Sequence, residues 1–308
     1  MPLDFPLTDP SKTVEKGTLY VVATPIGHRE DITLRALSVL SGVDLIAAED
    51  TRHTGRMLSH YGISSPLISC HDYNEADRSR QIIQKLQAGM AIALVSDAGT
   101  PLVSDPGYRL IRAAIDAGVK VVPIPGVSAA IAGLSVSGLP TDAFVFLGFP
   151  PKKQSRRLAA LKNVEKEPKT LIFYESPKRV ISFLTDALAV LGDRCGVVCR
   201  EMTKRYEEFI RGTISEMLTI LSVRSEIKGE CTLILSGNNS DGSEPVDSFE
   251  PRVAEFLGDA SETPGELARK IAAQFGISRK DAYRMILSEK SKARGEENDG
   301  KKDTAAHR

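Results

Sequence analysis

The sequence predicts an α/β protein of two domains, with a parallel αβα N-terminal domain, a mixed-sheet second domain and a small helical C-terminal extension. Three observations lead there. Strand-like apolar runs alternate with helix-period segments from Thr18 to Ile124, the rhythm of a parallel sheet covered on both faces. After Leu139-Pro140-Thr141 the rhythm changes, and some strands follow one another with no helix between. Beyond Gly237 a polar, acidic, turn-rich stretch (NNSDGSEPVDSFE) reads as a linker to short capped helices.

Taken in order, TLYVVAT (18–24) is a strand stopped by Pro25-Ile26-Gly27. Asp31 is placed to cap a helix carrying Ile32, Leu34, Ala36, Leu37 and Leu40 at helical spacing. VDLIAA (43–48) and PLISC (66–70) are strands around a helix that ends near Tyr61-Gly62, and a polar helix from about Asn74 turns Ile82, Ile83 and Leu86 inward. The stretch LVSDAGTPLVSDPG (94–107) is a buried strand opening into a loop of small residues, whose backbone a ligand can reach while Pro101 and Pro106 stiffen it. Two consecutive turns joining a strand to a helix would read the same way. Tyr108 to Ala117 is a helix, VKVVPI (119–124) a strand, and Gly126 precedes a helix start of small residues.

In the second half, FVFLGF (144–149) and TLIFY (170–174) flank a basic helical segment, PKKQSRRLAALK. Ser176 and Pro177 read as the N-cap and first residue of the next helix. CGVVCRE (195–201) and YEEFIRG (206–212) read as neighbouring strands, Thr213 to Glu216 as a capping box, and GECTLILSG as a closing strand. The boundaries are a disordered leader (1–16), domains at 17–138 and 139–237, a linker at 238–250, a helix-turn-helix-like domain at 251–294 and a disordered tail at 295–308. Pro251–Phe256 reads as a short helix there, Thr263 as the cap of a second through Phe275, and Ser278 as the cap of a third reaching about Lys292.

Composition narrows the function. Forty basic and forty acidic side chains cancel, so any nucleic-acid contact has to use a local patch. No apolar run approaches the roughly 20 residues that span a bilayer, and the leader is acidic and Pro-rich rather than signal-like, so a cytoplasmic protein is expected. The four cysteines read as buried reduced thiols, and the histidines show no metal-ligand spacing, so no metal is expected. There is no nucleophile elbow, no Walker loop and no G-x-G-x-x-G after the first strand. What remains is a cofactor held by main-chain groups and apolar walls.

TPIGH (24–28), AEDTRHTG (48–55), SDAGTPLVSDPG (96–107), PGVSA (125–129), FLGFPP (146–151) and YESPKR (174–179) occur in that order. Together they resemble the tetrapyrrole methylase superfamily of S-adenosylmethionine-dependent methyltransferases, over about Gly17 to Gly237. The resemblance implies a two-domain fold, S-adenosyl-L-methionine as cofactor and a homodimer. Carried over by position, Pro25, Ala98, Gly99, Thr100, Val103, Ser128 and Ala129 would hold the cofactor, joined by Glu175 and Met202 from the second domain. Porphyrin-precursor members carry Gly-Gly-Asp-Pro where this chain has Ala98-Gly99-Thr100-Pro101, which points to the RNA-modifying branch. That branch implies 2′-O-methylation of a decoding-centre cytidine of 16S ribosomal RNA in the small ribosomal subunit.

Deprotonating a ribose hydroxyl profits from a general base. Asp50 is the candidate, with Arg52 steering phosphate; alternatively Glu49 and Asp50 cap a helix and Arg52 pairs with them. Lys152, Lys153, Arg156, Arg157, Arg200, Arg279, Lys280 and Arg284 are candidates for RNA contact, although a solvated surface explains the clusters as well. A corrinoid or porphyrin substrate, and a non-catalytic S-adenosylmethionine-sensing RNA-binding module, are the competing readings.

Overall fold

A computed structural model describes residues 14–238, 263–275, 278–280, 282–284 and 286–287. The expected leader up to residue 13, the linker after 238, the helix at Pro251–Phe256, the end of the third helix and the tail lie outside the described residues. The chain divides into two compact units between Ala132 and Gly133, ahead of Leu139-Pro140-Thr141.

The first unit is built on β1 (Thr18–Val22), β2 (Leu45–Ala48), β3 (Leu67–Ser69), β4 (Ile92–Val95) and β5 (Lys120–Ile124), in the order β3-β2-β4-β1-β5. Every pairing is parallel. Strands β2 and β4 are buried along their whole length, which is why they read as unbroken apolar runs rather than alternating ones. The connecting helices are α1 (Leu34–Gly42), α2 (Thr51–His60), α3 (Glu75–Gln87) and α4 (Tyr108–Asp116). Two apolar cores form, one around Val22, Leu40, Ile46 and Leu58, the other around Leu19, Ile82, Leu86, Leu94 and Leu110.

One local expectation is corrected here. Asp31 does not cap α1: residues Arg29–Asp31 form a single 3-10 turn capped by His28, and Thr33 caps α1 by accepting a hydrogen bond from the Ala36 amide. Both residues are good caps by type, and the extra turn moves the helix start two residues on. The helix α5 (Ala129–Ser135) follows β5 and spans the divide.

The second unit carries β6 (Phe144–Phe146), α6 (Gln154–Asn163), β7 (Thr170–Glu175), α7 (Val180–Leu191), β8 (Cys195–Arg200), β9 (Glu208–Thr213), α8 (Ile214–Ser222) and β10 (Cys231–Leu235). Its sheet runs β6-β7-β10-β8-β9. Only β6 and β7 pair in parallel; the other three pairings are antiparallel, giving a mixed sheet. The Thr213–Glu216 capping box forms as its residue types predict. Ser176 does not cap α7, however. It closes a hydrogen-bonded turn with Arg179 and Val180, and the helix begins at Val180. The helix α9 (Pro264–Phe275) sends Leu267, Ala268 and Ile271 into the second unit's core, together with Ala282 and Ile286.

Candidate functional site

At the carboxyl ends of the first sheet's strands, Thr24 and Gly99 exchange two backbone hydrogen bonds of 2.9 Å, stitching the loop after β1 to the loop after β4. Gly99 has φ of +82°, a conformation that costs an L side chain about 1 to 2 kcal/mol. Thr100 Oγ1 donates to Val127 O at 3.0 Å and so draws in the loop after β5. That loop lies close to β1: a Cβ on Gly126 would stand 2.8 Å from the Ala23 Cβ. Pro25, Gly99, Thr100, Ser128 and Ala129 are thereby gathered on loops at the carboxyl end of the sheet, with Ala98 exposed beside them. Among the described residues the Ala98 and Thr100 amides donate no hydrogen bond. They fit a ligand held by main-chain groups.

Val103 sits between Leu102 and Ser104, both left-handed, with φ of +72° and +69°. Met202, in the second unit, sits likewise between Glu201 (+52°) and Thr203 (+64°). Non-glycine residues rarely adopt this conformation and do so mainly where surroundings enforce it. Near Met202, Cys231 at the start of β10 pairs with Glu175 on one side and with Arg200 on the other. Glu175 is buried. Its Oε1 accepts from the Ser176 amide and from Arg179, each at 2.6 Å, whereas its Oε2 has no partner among the described residues. An unmatched buried carboxylate oxygen is costly and fits a ligand's donor.

Asp50 caps α2: its Oδ1 accepts from the Arg52 amide at 2.8 Å, and Arg52 Nη2 donates to Oδ2 at 2.9 Å. The Arg52 hydrogen bond holds this carboxyl far below the usual carboxylate range, so Asp50 is a weak proton acceptor as it stands. The acidic group that departs the other way is one the sequence reading passed over. Asp105, on the same loop as Thr100, is pushed up to about 6 by burial and then by the charge of Glu49, with Asp97 and Asp72 adding to it and a Ser96 hydrogen bond opposing. Glu49 is itself raised, by burial first and Asp97 second. The Asp97 side chain accepts from the Asp50 amide at 3.2 Å. The sequence shows Asp105 only as a turn former in Asp-Pro-Gly; two of its acidic neighbours, Glu49 and Asp72, come from other strand ends.

Of the basic residues expected to meet RNA, Lys152, Lys153, Arg156, Arg279 and Lys280 are exposed and Arg284 is half-buried. Two are corrected. Arg157 is buried, donating from Nε at 2.7 Å and Nη2 at 2.6 Å to Asp186 Oδ2. Arg200 is turned onto Glu208 at 2.9 Å and donates to Lys228 O. The Arg157 side chain is not available to a phosphate, and that of Arg200 is already paired. The cysteines are free, and burial pushes the Cys199 and Cys231 thiols up to about 12. Among the described residues no group of three His, Cys, Asp or Glu is placed to hold a metal ion, and no helix is long and apolar enough to cross a membrane.

Residues 18–218 match the family model of the Tetrapyrrole (Corrin/Porphyrin) Methylases. The chain belongs to that family. Two relatives are similar over nearly their whole length, both named Ribosomal RNA small subunit methyltransferase I. The one from Escherichia coli O157:H7 is 46% identical over 89% of this chain and 96% of its own length. That from Halalkalibacterium halodurans is 44% identical with the same coverage. Among solved methylase structures, the native form of uroporphyrin III C-methyl transferase from Thermus thermophilus superposes with a TM-score of 0.52 at 17% identity, covering 71% of this chain and 97% of that one. That likeness shows the fold.

Proposed function

We propose that this chain is a methyltransferase that takes its methyl group from S-adenosylmethionine and places it on the ribose 2′-oxygen of a decoding-centre cytidine in 16S ribosomal RNA. The observation that carries the reading is near-full-length similarity to proteins named Ribosomal RNA small subunit methyltransferase I. We further infer a homodimer acting on the small ribosomal subunit in the cytoplasm.

When bound, S-adenosylmethionine supplies an already activated sulfonium methyl. The chain's own residues then have three tasks. Backbone groups of Ala98, Gly99 and Thr100 hold the cofactor, with Pro25, Val103, Ser128 and Ala129 along its sides. Alignment and exclusion of water can together lower a barrier by about 7 to 11 kcal/mol. The third task is to accept the proton of the 2′-hydroxyl as the new O–C bond forms and the S–C bond breaks. Asp105 is matched to it, since a base works best with a pKa near the operating pH. Asp50, with Arg52, instead fixes the start of α2 and offers a cation to phosphate.

The reading is tested with small subunits from cells lacking this protein, using cofactor labelled on the methyl group. Label on the 2′-oxygen of one cytidine is the expected result. Label on a base, or on a porphyrin precursor and no RNA, overturns it. The cofactor site has its own check. A Gly126→Val side chain overpacks against Ala23, at a cost of about 1 to 3 kcal/mol, and is expected to weaken S-adenosylhomocysteine binding in calorimetry by about tenfold. Unchanged heat would remove the loop after β5 from the site.

A further inference from the structure

Strand β6 is an edge of the second sheet, and the segment leaving it is unusually apolar for a surface. Phe144, Leu147 and Phe149 are exposed, Phe149 at 56%. The rings are ordered against one another: Tyr174 meets Phe146 edge-on at 4.9 Å and Phe149 at 5.6 Å, tilted by 60°. The segment is pinned as well. The Leu147 amide donates to Ile172 O and the Tyr174 amide to Gly148 O, each at 2.9 Å. Arg179 donates to Pro150 O at 3.4 Å, and buried Arg157 to Lys152 O at 3.2 Å.

Immediately beyond come Lys152, Lys153 and Arg156, all exposed. No carboxylate forms a salt bridge with any of them among the described residues. The nearby acids are engaged elsewhere, Asp186 with Arg157 and Gln154, and Glu175 with Arg179. Exposed rings beside uncompensated cations suit a polyanion whose units have π-faces, because unpaired bases stack on aromatic side chains while the backbone follows positive charge. A second copy of the chain fits less well. In a two-fold contact the same patch meets itself, setting these three cations against their equivalents.

We propose that Phe149, backed by Tyr174 and flanked by Lys152, Lys153 and Arg156, is a stacking platform for unpaired bases of single-stranded RNA. The proposal rests on the RNA-substrate reading and adds to it the form of the RNA and the face that receives it.

The test uses the full chain and a fluorescein-labelled single-stranded oligocytidylate, read by anisotropy over a range of salt. Phe149→Ala is expected to weaken binding about five- to a hundredfold without altering the salt dependence. Phe149→Trp restores binding if stacking is the interaction. Replacing Lys152, Lys153 and Arg156 together by Ala flattens the log–log salt slope by about 2, at roughly 0.7 per phosphate contact on a single strand. Thermal midpoints show that the variants fold. Phe149→Ala binding like the unaltered chain overturns the proposal, as does a change in oligomeric state by light scattering on that substitution, which would make the face a contact between copies. A chain that fails to methylate ribosomal RNA yet shows Phe149-dependent binding loses the proposed function and keeps this platform; the converse result keeps the function and removes the platform.

Discussion

Asp105→Asn is expected to slow methyl transfer by about 10²-fold or more, the usual contribution of a positioned base, while leaving S-adenosylhomocysteine affinity unchanged. The rate of the unaltered chain should rise with pH through about 6, where Asp105 gives up its proton, and the variant should lack that limb. Glu49→Gln gives a second reading. Removing the Glu49 charge takes away the second-largest cause of the upward shift, so the limb should move to lower pH with the plateau kept. A rising limb that survives Asp105→Asn would assign the proton to another group. Stability carries an independent signature. Asp105 binds its proton more tightly folded than at its ordinary value of 3.8. Its contribution is therefore favourable below about pH 4 and is lost as pH rises through about 6. The group is partly exposed, and discounting for solvent leaves about 1 kcal/mol. Asp105→Asn should accordingly be slightly more stable than the unaltered chain at pH 7 and no more stable at pH 4.

The second large effect is on folding. Asp186→Ala leaves the Arg157 guanidinium, whose side chain is 5% exposed, buried without its counter-charge. Breaking one partner out of such a pair costs about 3 to 5 kcal/mol, a large part of a domain's stability. Urea melts should show the midpoint falling with an unchanged slope. Replacing both residues by apolar side chains of similar size should recover much of the loss, since the pair's mutual attraction repays mainly its own desolvation. The same loss after the double replacement would mean that Arg157 matters chiefly through its bonds to Pro151 O and Lys152 O.

That ion pair marks where sequence reading stops. Strands β2 and β4, the small-residue loop at 96–101, and the caps at Thr213 and Thr263 are legible because each is a local pattern with a local cause. In sequence, Arg157 and Arg200 look no different from exposed cations such as Lys153 and Arg156, until the fold brings Asp186 and Glu208 against them. Asp105 is hidden for the same reason. Its proton affinity comes from burial and from Glu49, Asp97 and Asp72, of which Glu49 and Asp72 follow other strands. The misplaced cap at Asp31 and helix start at Ser176 differ in kind: each is a good local signal that a single intervening turn displaces. Position in the chain marks the loops of small residues, and the third dimension decides which charges are free.

Leu102 and Ser104, like Glu201 and Thr203, hold shapes that their own chemistry disfavours. A short peptide copied from either loop would relax away from the bracket around Val103 or Met202. Each cradle is therefore on loan from the sheet beneath it, and gentle warming should blur these two places while both sheets still stand.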